Sequence, residues 1–139
     1  MITLATMADR VAEYGFRSTW KPATRNRLMD PDGSQMDHYR VTLTAGGKRM
    51  VLTYSKGSGL KGEPPTTEEV LSCLAQDAAG FDNAGSFGEW VREYGGDPDS
   101  RIEEQTYRAI GRQRDSLYRL CAAVGPCVFN NLLYHTDPA

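Results

Sequence analysis

The sequence predicts an α+β fold, a small antiparallel sheet of about three strands packed against a helical C-terminal half. Two observations carry that prediction. Alternation of apolar and polar residues with period two is confined to residues 16–55. Helical periodicity, each time behind a hydroxyl-x-x-Glu start signal, fills residues 66–124. Strands therefore gather early and helices late, the order of an α+β domain rather than of alternating β-α units.

The elements follow in chain order. Leu4, Met7, Val11 and Tyr14 recur on one helical face, and Gly15 is placed to stop that helix. Phe16–Lys21 reads as a short strand with Phe16, Ser18 and Trp20 on one side and Arg17, Thr19 and Lys21 on the other. Residues 22–35, with Pro22, Pro31, Asp32 and Gly33, read as a mobile loop. Tyr39, Val41 and Leu43 alternate with Arg40, Thr42 and Thr44; after Ala45-Gly46-Gly47, Met50, Leu52 and Tyr54 alternate with Val51, Thr53 and Ser55. That pattern predicts a hairpin with one face toward a core. A glycine-rich loop over Ser55–Pro65 then leaves the sheet.

Thr66, Ser86 and Ser100, each followed three residues later by Glu69, Glu89 and Glu103, predict three helix starts with capping boxes. Inward faces are expected at Val70, Leu71, Leu74 and Ala78, at Phe87, Trp90, Val91 and Tyr94, and at Ile110, Leu117, Cys121 and Val124. The tail Val128–Tyr134 fits either a strand or a last helical turn.

A chain of 139 residues with 40% hydrophobic and 24% charged residues is expected to form one domain, residues 1–139, with its own core. No apolar run reaches membrane-spanning length, and MITLATMADRVAEYG lacks the pattern of a signal peptide, so a cytoplasmic protein without membrane contact is expected. Cys73, Cys121 and Cys127 are odd in number and form no C-x-x-C pair, and only His38 and His135 accompany them. Structural thiols, no metal and no cofactor are the expectation.

Charge is distributed unevenly. Residues 1–65 hold ten Lys/Arg against six Asp/Glu, whereas residues 66–139 hold six against twelve. Such polarity points to a partner surface, although acids also gather at helix starts for local reasons. Within the basic half, Arg17, Lys21, Arg25, Arg27, Arg40, Lys48 and Arg49 lie near Trp20 and Tyr39. Arg17, Lys21 and Arg40 are candidate nucleic-acid contacts on a sheet face.

Two loops are candidate partner contacts. Gly57-Ser58-Gly59-Leu60-Lys61-Gly62 matches the glycine spacing of a dinucleotide loop. Its strand belongs to a hairpin, however, and Pro64-Pro65 separates it from the next helix, so the motif lacks its context. Lys56, Gly57, Ser58, Gly59 and Lys61 are instead read as an exposed binding loop. Asp97, Asp99 and Arg101 sit around the turn before the third capped helix, where a turn with an N-cap also accounts for them. No nucleophile–base pair can be assembled, and no catalytic residue is assigned.

The segments MADRVAEYGF, MDHYRVTL, TYSKGSG, PPTTEEVLSCLAQDAAG, SFGEWVREYGGDPDSR and TYRAIGRQ, in this order between about Met7 and Leu120, resemble a group of small bacteriophage and prophage proteins. The resemblance supplies no catalytic residues. It implies a non-enzymatic phage accessory protein that acts in the host cytoplasm. Such a protein binds and inhibits a host protein or ribonucleoprotein effector, as an anti-CRISPR or other anti-defence inhibitor does. An acidic helical half that occupies a basic channel is one route to such inhibition; direct steric binding is another. The alternative is a nucleic-acid-binding regulator that uses the basic half.

Overall fold

In the computed structural model, residues 2–23, 36–57, 63–94 and 96–134 are described. Helix α1 spans Leu4–Tyr14 and leads into strand β1, Arg17–Pro22; β2, Met36–Ala45, and β3, Lys48–Gly57, follow. Helices α2 (Thr67–Ala84), α3 (Phe87–Glu93), α4 (Arg101–Val124) and α5 (Val128–Leu133) complete the fold. The strands form one antiparallel sheet in the order β1-β2-β3, confirming the α+β prediction.

Gly46 and Gly47 close the β2–β3 hairpin at φ +58° and +78°. Two consecutive positive φ values make the two-residue turn whose twist matches that of the strands. Register then sorts the side chains. Tyr39, Val41, Leu43, Ala45, Met50 and Leu52 are buried against Leu71, Leu74, Leu117, Leu120 and Cys121 of α2 and α4. The other face carries Arg17, Thr19 and Lys21 of β1, Arg40, Thr42 and Thr44 of β2, and Arg49, Val51 and Thr53 of β3.

Several sequence expectations are corrected in detail. Leu4 is 52% exposed. Helix α1 is anchored instead by Met7, Val11 and Tyr14, with Tyr14 Oη accepting a 2.8 Å hydrogen bond from Asn131 Nδ2 of α5. Trp20 has the core-facing parity yet stays 42% exposed, because β1 stands at the edge of the sheet and, among the described residues, pairs with β2 alone. It packs edge-on against Tyr39, with ring centroids 5.4 Å apart. Only Thr66 has both halves of its capping box; Ser86 and Ser100 cap through their hydroxyls, without a return bond from Glu89 or Glu103. Glu103 folds its carboxylate against Gly96 instead.

The tail is helical. Val128, Phe129, Leu132 and Leu133 are all buried, and pairs of apolar residues four apart suit one helical face rather than alternation. At the other end of the helical layer, Phe81, Phe87, Trp90 and Tyr107 form an aromatic cluster around the start of α4. Of the expected inward face of α3 only Val91 is buried, and Tyr94 is 59% exposed. Arg114 of α4 clamps Asp82 of α2 through two hydrogen bonds of 2.9 and 3.2 Å and lies 4.8 Å from the centre of the Phe129 ring. No helix among the described residues is long and apolar enough to cross a membrane.

Candidate functional site

Antiparallel pairing decides where the basic half points. Arg17 pairs with Thr44, which pairs with Arg49; Lys21 pairs with Arg40, which pairs with Thr53. Directly paired residues share a face, so Arg17, Lys21, Arg40 and Arg49 all project from the side that no described helix covers, and all four are exposed. Among the described residues this face has no acid, and none of the four cations is within ion-pair distance of a carboxylate. Between the cations lie Thr19, Thr42 and Val51, a low polar-to-apolar row with Val51 48% exposed. Like charges placed directly opposite, as at Lys21 and Arg40, oppose pairing.

The basic surface continues around the hairpin. Lys48, Arg49, Ser116 and Arg119 line a hollow of about 310 Å³ between β3 and α4. Arg17, Lys21 and Arg40 were legible as a group from strand alternation. Arg49 could have joined them from the hairpin register, since a two-residue turn fixes Thr44 opposite it. Arg119 could not, because it arrives from a helix about 70 residues further along the chain. The aromatic part of the expectation is corrected: Trp20 and Tyr39 lie on the opposite side of the sheet from the cations. Arg25 and Arg27 lie outside the described residues.

The expected binding loop is also corrected. Strand β3 runs on to Gly57, and Lys56 is buried, its side chain 2% exposed. Its Nζ lies 2.9 Å from Glu69 Oε2 and 3.5 Å from Pro64 O. Glu69 Oε2 also accepts from the Thr66 backbone N–H, so Lys56 supports the start of α2 instead of meeting a partner. Ser58, Gly59 and Lys61 lie outside the described residues. The strand before the glycine motif is antiparallel to β2, which is not the parallel unit of a dinucleotide site.

Asp97, Asp99 and Arg101 are exposed. Asp97 Oδ1 accepts from Asp99 N at 2.9 Å and Asp97 O from Ser100 N at 3.1 Å, which is turn geometry before the Ser100 cap. The first half of α4 packs on the last turns of α2, with Phe81 against Tyr107 and Asp82 against Arg114. The turn therefore sits at the end of α2 remote from Lys56 and Glu69, and the structure does not join the two expected contact elements into one site. An 18-residue helix spans about 27 Å.

Cys73, Cys121 and Cys127 are free thiols, with Cys121 buried and the other two exposed. Burial pushes the Cys121 thiol up to about 12, which leaves it inert at neutral pH. No group of three or more His, Cys, Asp or Glu is placed to hold a metal among the described residues. His135 lies outside them.

Beside Lys56 and Glu69, one face of α2 carries Cys73 and Asp77. Desolvation raises the carboxyl of Asp77; desolvation, then Asp77, raises the Cys73 thiol; and desolvation, then Glu69 and Cys73, raises Tyr54. For Asp77 the sign is that of a folded state holding its proton more tightly. Its contribution is complete below the ordinary value of 3.8 and is lost as pH rises through the raised value. Solvent still reaches this side chain, so the effect is small. Asp77→Asn is expected to melt slightly above wild type at pH 7 and to show a flatter pH dependence over the range above the ordinary carboxyl value of 3.8. Thermal melts across that range measure it, and a lower melting temperature at pH 7 contradicts it.

Comparison with protein-family models, with curated proteins and with solved structures found no match.

Proposed function

We propose that this chain is a non-enzymatic binding protein that holds nucleic-acid phosphates on the open face of its sheet. The observation that carries this reading is the segregation of Arg17, Lys21, Arg40 and Arg49 onto one exposed face without an acid among the described residues. A net charge of −2 does not oppose it, because binding responds to the local potential of a face, and twelve of the eighteen acids fall in the helical half. Phosphate contacts by exposed Arg and Lys supply affinity that falls steeply with salt. Purified protein is expected to be retained on immobilised nucleic acid at low salt and to elute with salt. Arg40→Glu with Lys21→Glu should lower the affinity roughly tenfold or more, since each lost phosphate contact removes about one released counterion. Equal retention of wild type and the double variant would exclude this face.

The second reading is the phage-type inhibitor of a host effector. It is supported by the helical end opposite the Lys56 site. Residues 85–104 there hold six acids against two arginines, around a half-buried aromatic cluster with Tyr94 and Ile102 exposed. An acidic surface with aromatic anchors suits a basic protein channel. Survival of phage under CRISPR targeting, with and without the chain, is its test; unchanged survival together with no captured effector counts against it.

A further inference from the structure

We propose that the nucleic acid held on the open sheet face is double-stranded DNA gripped by both of its phosphate backbones; this rests on the nucleic-acid reading above and narrows it to one substrate class. The cations do not form a single patch but two rows. Arg17 and Arg49 flank Thr44 in one row, and Lys21 and Arg40 form the other against Thr53. Four residues along β1 separate the rows, which is about 13 Å at about 3.3 Å per residue. The major groove of B-form DNA is about 12 Å wide. One row thus meets one backbone while the other row meets the backbone across the groove, and the low Thr19, Thr42 and Val51 row faces the groove mouth.

Two further observations favour the duplex over a single strand. Single-strand binders stack bases on aromatic side chains, and Trp20, Tyr39 and Tyr54 all lie on the opposite side of this sheet. The Arg17–Arg49 row also continues past the edge of β3 into the hollow lined by Lys48, Ser116 and Arg119, which extends cationic contact along one backbone. Threonines and a valine in the groove-facing row offer few donors for reading base edges, so binding is sequence-independent.

The test uses the full chain and three fluorescein-labelled probes of equal length: duplex DNA, the corresponding single strand and duplex RNA. Anisotropy titrations are run from 50 to 200 mM salt. The duplex DNA is expected to bind at least tenfold tighter than the single strand and tighter than the RNA duplex, with two unrelated duplex sequences within about threefold of each other. Its logarithmic salt slope should lie between about −3.5 and −5.5, from four to six phosphate contacts at about 0.9 each. Arg17→Gln with Arg49→Gln, and separately Lys21→Gln with Arg40→Gln, should each flatten that slope by about 1.8 while the circular dichroism spectrum stays that of wild type. A single strand or RNA duplex bound as tightly as the DNA duplex overturns the inference but leaves the nucleic-acid reading standing, as does loss of slope in only one of the two row variants. No anisotropy change with any probe at 50 mM salt overturns both. The wild-type preference among the three probes, together with its slope, decides the matter even where a row variant fails to fold.

Discussion

Lys56→Glu is expected to destabilise the fold by about 3–5 kcal/mol, the usual cost of leaving a buried charge without its counterion. The substitution places a second carboxylate against Glu69 at a site where the Lys56 side chain is 2% exposed. Glu69 has a further role there, accepting the Thr66 N–H that begins α2, so the repulsion acts on a helix start as well as on a pair. Lys56→Met, which removes the charge but keeps an unbranched apolar stem, should cost far less, because replacing a buried ion pair by apolar volume is often near neutral. Combining Lys56→Glu with Glu69→Lys should recover part of the loss. Urea denaturation of the four proteins measures these differences. A Lys56→Glu midpoint equal to that of wild type would show that the pair opens freely to solvent. Loss of ligand by this variant would report damage to α2 and not a missing contact.

Lys56 also shows where sequence reasoning stops. Next to the run Gly57–Gly62, a lysine reads as an exposed loop cation. Its burial depends on Glu69 reaching back from another element, a contact across 13 residues that no local pattern encodes. Thr66 and Glu69 were legible because a capping box is local, its two hydrogen bonds running between residues three apart. The strands were legible because alternation against a core repeats in Val41, Leu43, Met50 and Leu52. Trp20 and Leu4 misled for the opposite reason: periodicity gives the side of an element, while exposure depends on whether another element covers that position. The cationic face was half legible, since parity places Arg17, Lys21 and Arg40, but its lack of acids among the described residues and its continuation to Arg119 depend on the assembled fold.

Gly46→Ala should cost about 2–4 kcal/mol, and Gly47→Ala only about 1–2 kcal/mol, although both glycines have positive φ. Each substitution places a Cβ in the left-handed region, at φ +58° and +78°. At Gly47 the added carbon meets nothing within 4 Å. At Gly46 it would lie 2.8 Å from the carbonyl carbon and oxygen of Ala123, in the last turn of α4. Backbone cannot rotate aside as a side-chain tip can, so the hairpin must lift from the helix. The difference between the two variants isolates that packing from the strain they share. The same contact sets the hairpin beside the end of α4, where Lys48 and Arg49 share a hollow with Arg119. Gly46→Ala should therefore also weaken nucleic-acid binding under conditions where it remains folded, while folded Gly47→Ala binds as wild type does. Chemical denaturation with parallel binding titrations measures both effects. Equal destabilisation by the two variants would show that the hairpin tip is not seated on α4, and the cationic surface would then end at the edge of the sheet.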